Sequence, residues 1–123
     1  MELKRREKGG VVILDISGKI LGGNESAPLM REIDKVVDGE EKSLLLSLER
    51  VPWLNSSGLG ILLAAFIRLR NYGGVMKLLH VQERVRSILV TTKLVEILEV
   101  FDDEKTAIDS FSTTHQNEPH RAP

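Results

Sequence analysis

Trp53-Leu54-Asn55-Ser56-Ser57-Gly58-Leu59-Gly60-Ile61-Leu62-Leu63 carries the chain out of a strand-like apolar run and into an amphipathic helix, with two adjacent hydroxyls at the joint. A serine there can cap the helix, because its oxygen accepts from backbone N–H groups that have no partner in the first turn. The same terminus favours negative charge and so suits a phosphoryl group. A phosphoserine brings roughly −1.5 to −2 charges near neutral pH, enough to change the sign of a docking surface. The hydroxyls therefore have two readings, helix cap or regulatory acceptor, and residue chemistry alone leaves both open.

Working outward, Leu44 to Leu48 reads as a buried strand, too short and too uniformly apolar for a surface helix. The motif helix is expected from about Ser57 to Asn71. Leu59, Leu62, Leu63, Phe66 and Leu69 form its inner face, and Ile61, Ala65, Arg68 and Tyr72 lie nearer the opposite side. Gly73-Gly74 stops it, Val75 to Val81 is the next strand, and residues 82–90 form a short helix with Val85, Ile88 and Leu89 inward. Ile97 to Phe101 reads as a last short strand. Asp102 or Asp103 then caps a final helix that turns Ala107, Ile108 and Phe111 to the sheet.

Upstream, Gly9-Gly10 is a tight hairpin turn between the charged segment 2–8 and the apolar run Val11 to Ser17. Pairing with that run makes the charged segment an edge strand, its charges discouraging foreign strands. Gly18 and Gly22-Gly23 concentrate backbone freedom before the first helix, which Asn24 or Ser26 caps and which tolerates Pro28 in its first turn. Leu29, Ile33 and Val36 or Val37 make its apolar stripe, and Asp38-Gly39 ends it. Strands alternating with helices predict one α/β domain over residues 1–111. Its sheet is mixed but mostly parallel, with four to five strands and about four helices. Residues 112–123 are polar, with two prolines and no periodicity, and are expected to be a disordered tail.

Composition narrows the function classes. Among 123 residues, 17 Lys and Arg against 18 Asp and Glu leave a formal charge of −1, which argues against a general nucleic-acid surface. With no cysteine there is no disulfide framework, thiolate catalysis or cysteine-ligated metal. No apolar run reaches the ~20 residues of a membrane span, and none follows the charged start as a signal peptide requires, so a cytoplasmic location is expected. A serine hydrolase needs a base beside its nucleophile; the histidines are His80, His115 and His120, and no Gly-x-Ser-x-Gly elbow is present. The histidines have no metal-ligand spacing, and the glycines lack the Gly-Lys-Ser or Gly-Lys-Thr ending of a P-loop. No enzyme activity, cofactor or metal is expected. Trp53 is expected to pack, and Arg68, Arg70 and Lys77 to form a solvated surface.

The order of elements, with Asn55-Ser56-Ser57-Gly58-Leu59-Gly60 between the third strand and second helix, resembles the STAS domain, the family that joins sulfate transporters with bacterial anti-sigma factor antagonists. The resemblance spans approximately residues 4–111. It implies a phosphorylation-switched module of the antagonist type, which binds an anti-sigma factor that is a serine kinase of histidine-kinase-like fold, and which a phosphatase resets. Carried over, Ser56 is the phosphate acceptor, with Ser57 as second choice. The partner-binding surface comprises Gly22, Gly23, Asn24, Asn55, Ser56, Ser57, Gly58, Leu59 and Ile61. Asn55 stands where the family has an acid before the serine, and Ser47 where it has an aspartate in the third strand; the Gly22-Gly23-Asn24 loop also lacks an aspartate common there. The alternative reading is a non-switching STAS subunit of a lipid or anion transport complex, or of a stress-signalling assembly.

Overall fold

The computed structural model describes residues 1–117, with side chains described through Ser112. Strands β1 (Glu2–Lys8) and β2 (Val11–Ser17) form an antiparallel hairpin, followed by α1 (Ala27–Asp38), β3 (Ser43–Arg50), α2 (Ser56–Asn71) and β4 (Val75–Leu79). Helix α3 (Glu83–Thr91), strand β5 (Val100–Phe101) and helix α4 (Glu104–Asn117) complete the chain. The hairpin turns on Gly9 and Gly10, at φ 59° and 77°, a pair of left-handed residues whose twist matches that of the strands.

The sheet order is β1-β2-β3-β4-β5, with β2 to β5 parallel and β1 antiparallel at the edge. Because the order is linear, the successive crossovers all lay their helices on one face. There Leu29, Ile33, Val36 and Val37 of α1 join Leu62, Ala65 and Leu69 of α2 and Val85 and Leu89 of α3 over the sheet. The opposite face carries α4 alone, which seals Val11, Ile13, Leu45 and Leu79 beneath Ala107 and Phe111. Both faces of β2 and β3 are thus covered, and their sequences read as nearly continuous apolar runs.

Electrostatics fixes α4 in place. The Arg6 guanidinium donates to Asp15 at 2.7 and 3.1 Å and to Glu104 at 2.8 and 3.2 Å, joining β1, β2 and the first turn of α4. Hydrogen bonding to Arg6 holds the Glu104 carboxyl below its ordinary pKa. Asp103 accepts from the Thr106 backbone N–H at 2.8 Å and so caps α4.

Several expectations need correction. The inner face of α2 is Gly58, Leu62, Ala65 and Leu69, so Ala65 is buried where the sequence reading turned it outward, and Leu59, Leu63 and Phe66 are only half-buried. A helix apolar on most sides gives a weak periodic signal, and a small residue fits where helix and sheet approach most closely. Lys77 is 2% exposed rather than solvated: its Nζ reaches Ser110 Oγ at 2.9 Å and Glu99 at 3.2 Å, between the rings of Phe101 and Phe111. Ser26 does not cap α1; its hydroxyl accepts from the Gly22 N–H, and a 3-10 turn over Gly23–Ser26 leads into the helix. Strand β5 has two residues, because the N–H groups of Ile97 and Leu98 bond back to Leu94 O, at the 3-10 turn over Leu94–Glu96, instead of joining the sheet. Helix α4 continues to Asn117, past the boundary drawn at residue 111, because a capped helix packed through Phe111 adds further turns without a new nucleus. The rest of the expected tail, 118–123, lies outside the described residues.

Candidate functional site

The site is built where β3 leaves the sheet. A tight turn, with the Val51 N–H donating to Leu48 O at 3.0 Å, sends the chain through Pro52 and Trp53. Leu54 then pairs with Ile20 in an isolated parallel bridge, so the segment after β2 and the segment after β3 run side by side. The Asn55 N–H donates to Ile20 O at 3.4 Å, and the Ile20 N–H to Trp53 O at 3.2 Å.

Asn55 is the cap of α2. Its backbone is extended (φ −99°, ψ −174°), its carbonyl accepts from Leu59 N–H, and its side-chain Oδ1 accepts from Gly58 N–H at 2.8 Å. Neither serine caps the helix, contrary to one of the two sequence readings. An asparagine one residue earlier reaches the third helical N–H, which leaves Ser56 and Ser57 in the first turn itself. Both serines are exposed, and the Ser56 hydroxyl has no hydrogen-bond partner among the described residues.

Gly58 is buried against the neighbouring segment: a Cβ there would lie 1.9 Å from Ile20 O. Only a glycine lets the helix start so close to that carbonyl. Gly22, at φ +84°, abuts the motif from the other side, where an added Cβ would lie 2.8 Å from the Ser57 Cβ. The structure therefore brings Gly22, of the Gly22-Gly23-Asn24 loop, against the first turn of α2. Gly23, Asn24, Ser56 and Ser57 are exposed; Gly22, Asn55, Leu59 and Ile61 are half-buried.

A groove missed at the sequence level continues the site. About 340 Å³ in volume, it runs between α1 and α2 from Ser57 past Ile61 and Ala64 to Arg68, with Met30 and Ile33 opposite. Its signal was present as a second stripe on α2, Ser57, Ile61, Ala64 and Arg68, at helical spacing. Met30 is 49% exposed on the far wall, and Arg68 is held by an ion pair with Asp34. A larger concavity of about 450 Å³ lies elsewhere, on the sheet face around Asp15, Ser17, Ser47 and Arg50. Trp53 is half-buried, with the Arg84 guanidinium 5.0 Å from its ring centroid.

Chemically, the first turn offers an unencumbered hydroxyl beside backbone N–H groups that favour an anion. Of the histidines, His80 follows β4 in a left-handed conformation at φ 55°, and His120 lies outside the described residues. Among the described residues, no helix is long and apolar enough to cross a membrane.

Residues 2–107 match the STAS domain family, and the chain belongs to it. It is 26% identical over 109 residues to an anti-sigma F factor antagonist of Paenibacillus polymyxa, covering 88% of this chain and 92% of that protein. Its fold is similar to that of an anti-sigma factor antagonist from Mycobacterium paratuberculosis, with a TM-score of 0.75 at 23% identity over 90% of this chain and 93% of that one. It is also similar to the Bacillus cell fate determinant SpoIIAA in its phosphorylated form, with a TM-score of 0.68 at 20% identity over 89% and 98%.

Proposed function

We propose that this protein is an anti-sigma factor antagonist, a non-enzymatic cytoplasmic module that sequesters an anti-sigma kinase while Ser56 is unmodified and releases it once Ser56 is phosphorylated. The observation that carries this reading is the Ser56 hydroxyl, exposed and without a hydrogen-bond partner among the described residues, at the first position of α2. A phosphorylation switch at this position needs that group within a visiting kinase's reach.

In the transfer, Ser56 Oγ forms a bond to the γ-phosphorus of ATP as the bond to the β,γ-bridging oxygen breaks. ADP leaves with that electron pair, and the hydroxyl proton passes to a base of the kinase. A phosphatase reverses the outcome by hydrolysis. The helix terminus stabilises the added charge by about 0.3–1 kcal/mol, so the modified chain keeps its fold. The partner, fitted to a neutral side chain, meets a bulky dianion instead. The docking surface comprises the Gly22-Gly23-Asn24 loop, the first turn of α2 and the outer side of that helix at Ile61.

The test is incubation with the cognate anti-sigma kinase and ATP, followed by intact mass and peptide mapping. One phosphate on Ser56, absent from Ser56→Ala, is expected, with Ser56→Ala still binding the kinase and Ser56→Asp binding weakly. Equal affinity for wild type, Ser56→Ala and Ser56→Asp removes the switch.

A further inference from the structure

Arg84 breaks a local rule. It lies in the first turn of α3, where the helix dipole disfavours a cation, and it has no ion-pair or hydrogen-bond partner among the described residues. Arg86, two residues on, shares the unfavourable position but has a carboxylate, Asp102, at 3.4 Å. Nor does Gln82, the residue before the helix, cap it: its side-chain amide donates instead to Glu49 O at 2.7 Å, fastening the start of α3 to the end of β3. What Arg84 has is the Trp53 ring, 5.0 Å from its guanidinium carbon.

That cation–π contact shields one side of the guanidinium, while its N–H groups have no acceptor among the described residues. The fork has the shape to bind a planar oxyanion through two parallel hydrogen bonds. Trp53 is three residues before Ser56, and the Gln82–Glu49 bond makes its platform continuous with the root of the motif loop. A surface cation left uncompensated by its own helix and held against a tryptophan three residues from the switch serine is suited to take its compensation from a partner. Tryptophan and arginine are also the residue types that dominate interface energetics.

We propose that the Trp53–Arg84 stack is the electrostatic anchor of the docking surface and receives an aspartate or glutamate side chain of the anti-sigma kinase in the complex with unphosphorylated protein. This rests on the function proposed above. Arg84 thereby extends the docking surface from α2 across the β3–α2 connection to α3.

The cognate kinase is titrated calorimetrically with unphosphorylated wild type, Arg84→Ala, Arg84→Lys, Trp53→Leu and Arg86→Ala, each at low and high salt. Arg84→Ala is expected to weaken binding about tenfold or more and to flatten the salt dependence. Arg84→Lys, which keeps the charge but loses the fork, falls between. Arg86→Ala, with the same change in charge on the same helix, stays within about twofold of wild type. Arg84 is exposed and disfavoured by the helix dipole, so its variants are expected to melt close to or slightly above the wild type, which excludes misfolding as the cause. Wild-type affinity in Arg84→Ala at both salts overturns the inference and leaves the antagonist reading standing. An equal loss in Arg86→Ala overturns it too, since net charge alone would then account for the effect. Absence of binding by the wild type removes the proposed function, and this anchor with it.

Discussion

Asn55 Oδ1 accepts from the Gly58 N–H at 2.8 Å, so the residue before the two serines does the capping that either serine could have done. Asparagine is neutral, and its side-chain carbonyl needs no ionised form to hold the loop. Replacing it with alanine should cost about 1 kcal/mol of unfolding free energy, whereas aspartate should stay close to wild type. Ser56→Ala and Ser57→Ala should each stay within about 0.5 kcal/mol, since neither is a cap. Urea denaturation of the four variants checks the order.

Gly58 and Gly60, two residues apart on one helix, should respond in opposite directions. A methyl group at residue 58 would meet Ile20 O at 1.9 Å, while at residue 60 it meets nothing within 4 Å. Gly58→Ala should cost on the order of 3 kcal/mol or fail to fold. Gly60→Ala should add about 0.5–1 kcal/mol by removing glycine's entropic penalty inside a helix. Thermal melts of both variants test the pair.

Acid should loosen α4. Hydrogen bonding to Arg6 depresses the Glu104 pKa from its ordinary 4.5. The unfolded chain therefore takes up a proton before the folded one does. The stabilisation is complete above the ordinary value and is lost as pH falls from there through the lower folded value. Glu104→Gln should be less stable than wild type at pH 7, with the gap closing on acidification. Melting temperatures from pH 7 to pH 3 measure this; a gap independent of pH would mean that the carboxylate charge is not the cause.

Lys77 gives a further contrast. Its ammonium lies between Phe101 and Phe111 and donates to Ser110 Oγ at 2.9 Å, while Glu99, its ion-pair partner, is 61% exposed. Lys77→Met keeps the volume and leaves Glu99 in water, so it should remain within about 1.5 kcal/mol of wild type. Lys77→Ala opens a cavity and should cost about 3 kcal/mol. Chemical denaturation separates the two outcomes.

The architecture was legible because its signals are local and repeated. Gly9-Gly10 has the chemistry of a left-handed turn pair, α1 shows an apolar stripe from Leu29 to Val37, and the runs in β2 and β3 are too short for helices. The chosen inner face of α2 was rotated, because large residues at 59, 63 and 66 outweighed the small ones that the packing uses. The two serines were the expected caps, and only the backbone path past Ile20 gives that role to Asn55, one residue earlier. The burial of Lys77 and the stacking of Arg84 on Trp53 depend on residues more than 20 positions apart, which no periodicity encodes.

The linear strand order divides cohesion unequally between the two faces of the sheet. On one side α1, α2 and α3 share a broad foundation; on the other, α4 closes over four buried side chains of the sheet, Val11, Ile13, Leu45 and Leu79, and is tethered by the Arg6 and Lys77 cations. Fraying should begin at that thinner layer, with α4 amides exchanging their hydrogens well before those of β3. The C-terminal helix could thus peel away and return while the Ser56 platform, anchored in the thicker layer, stayed assembled.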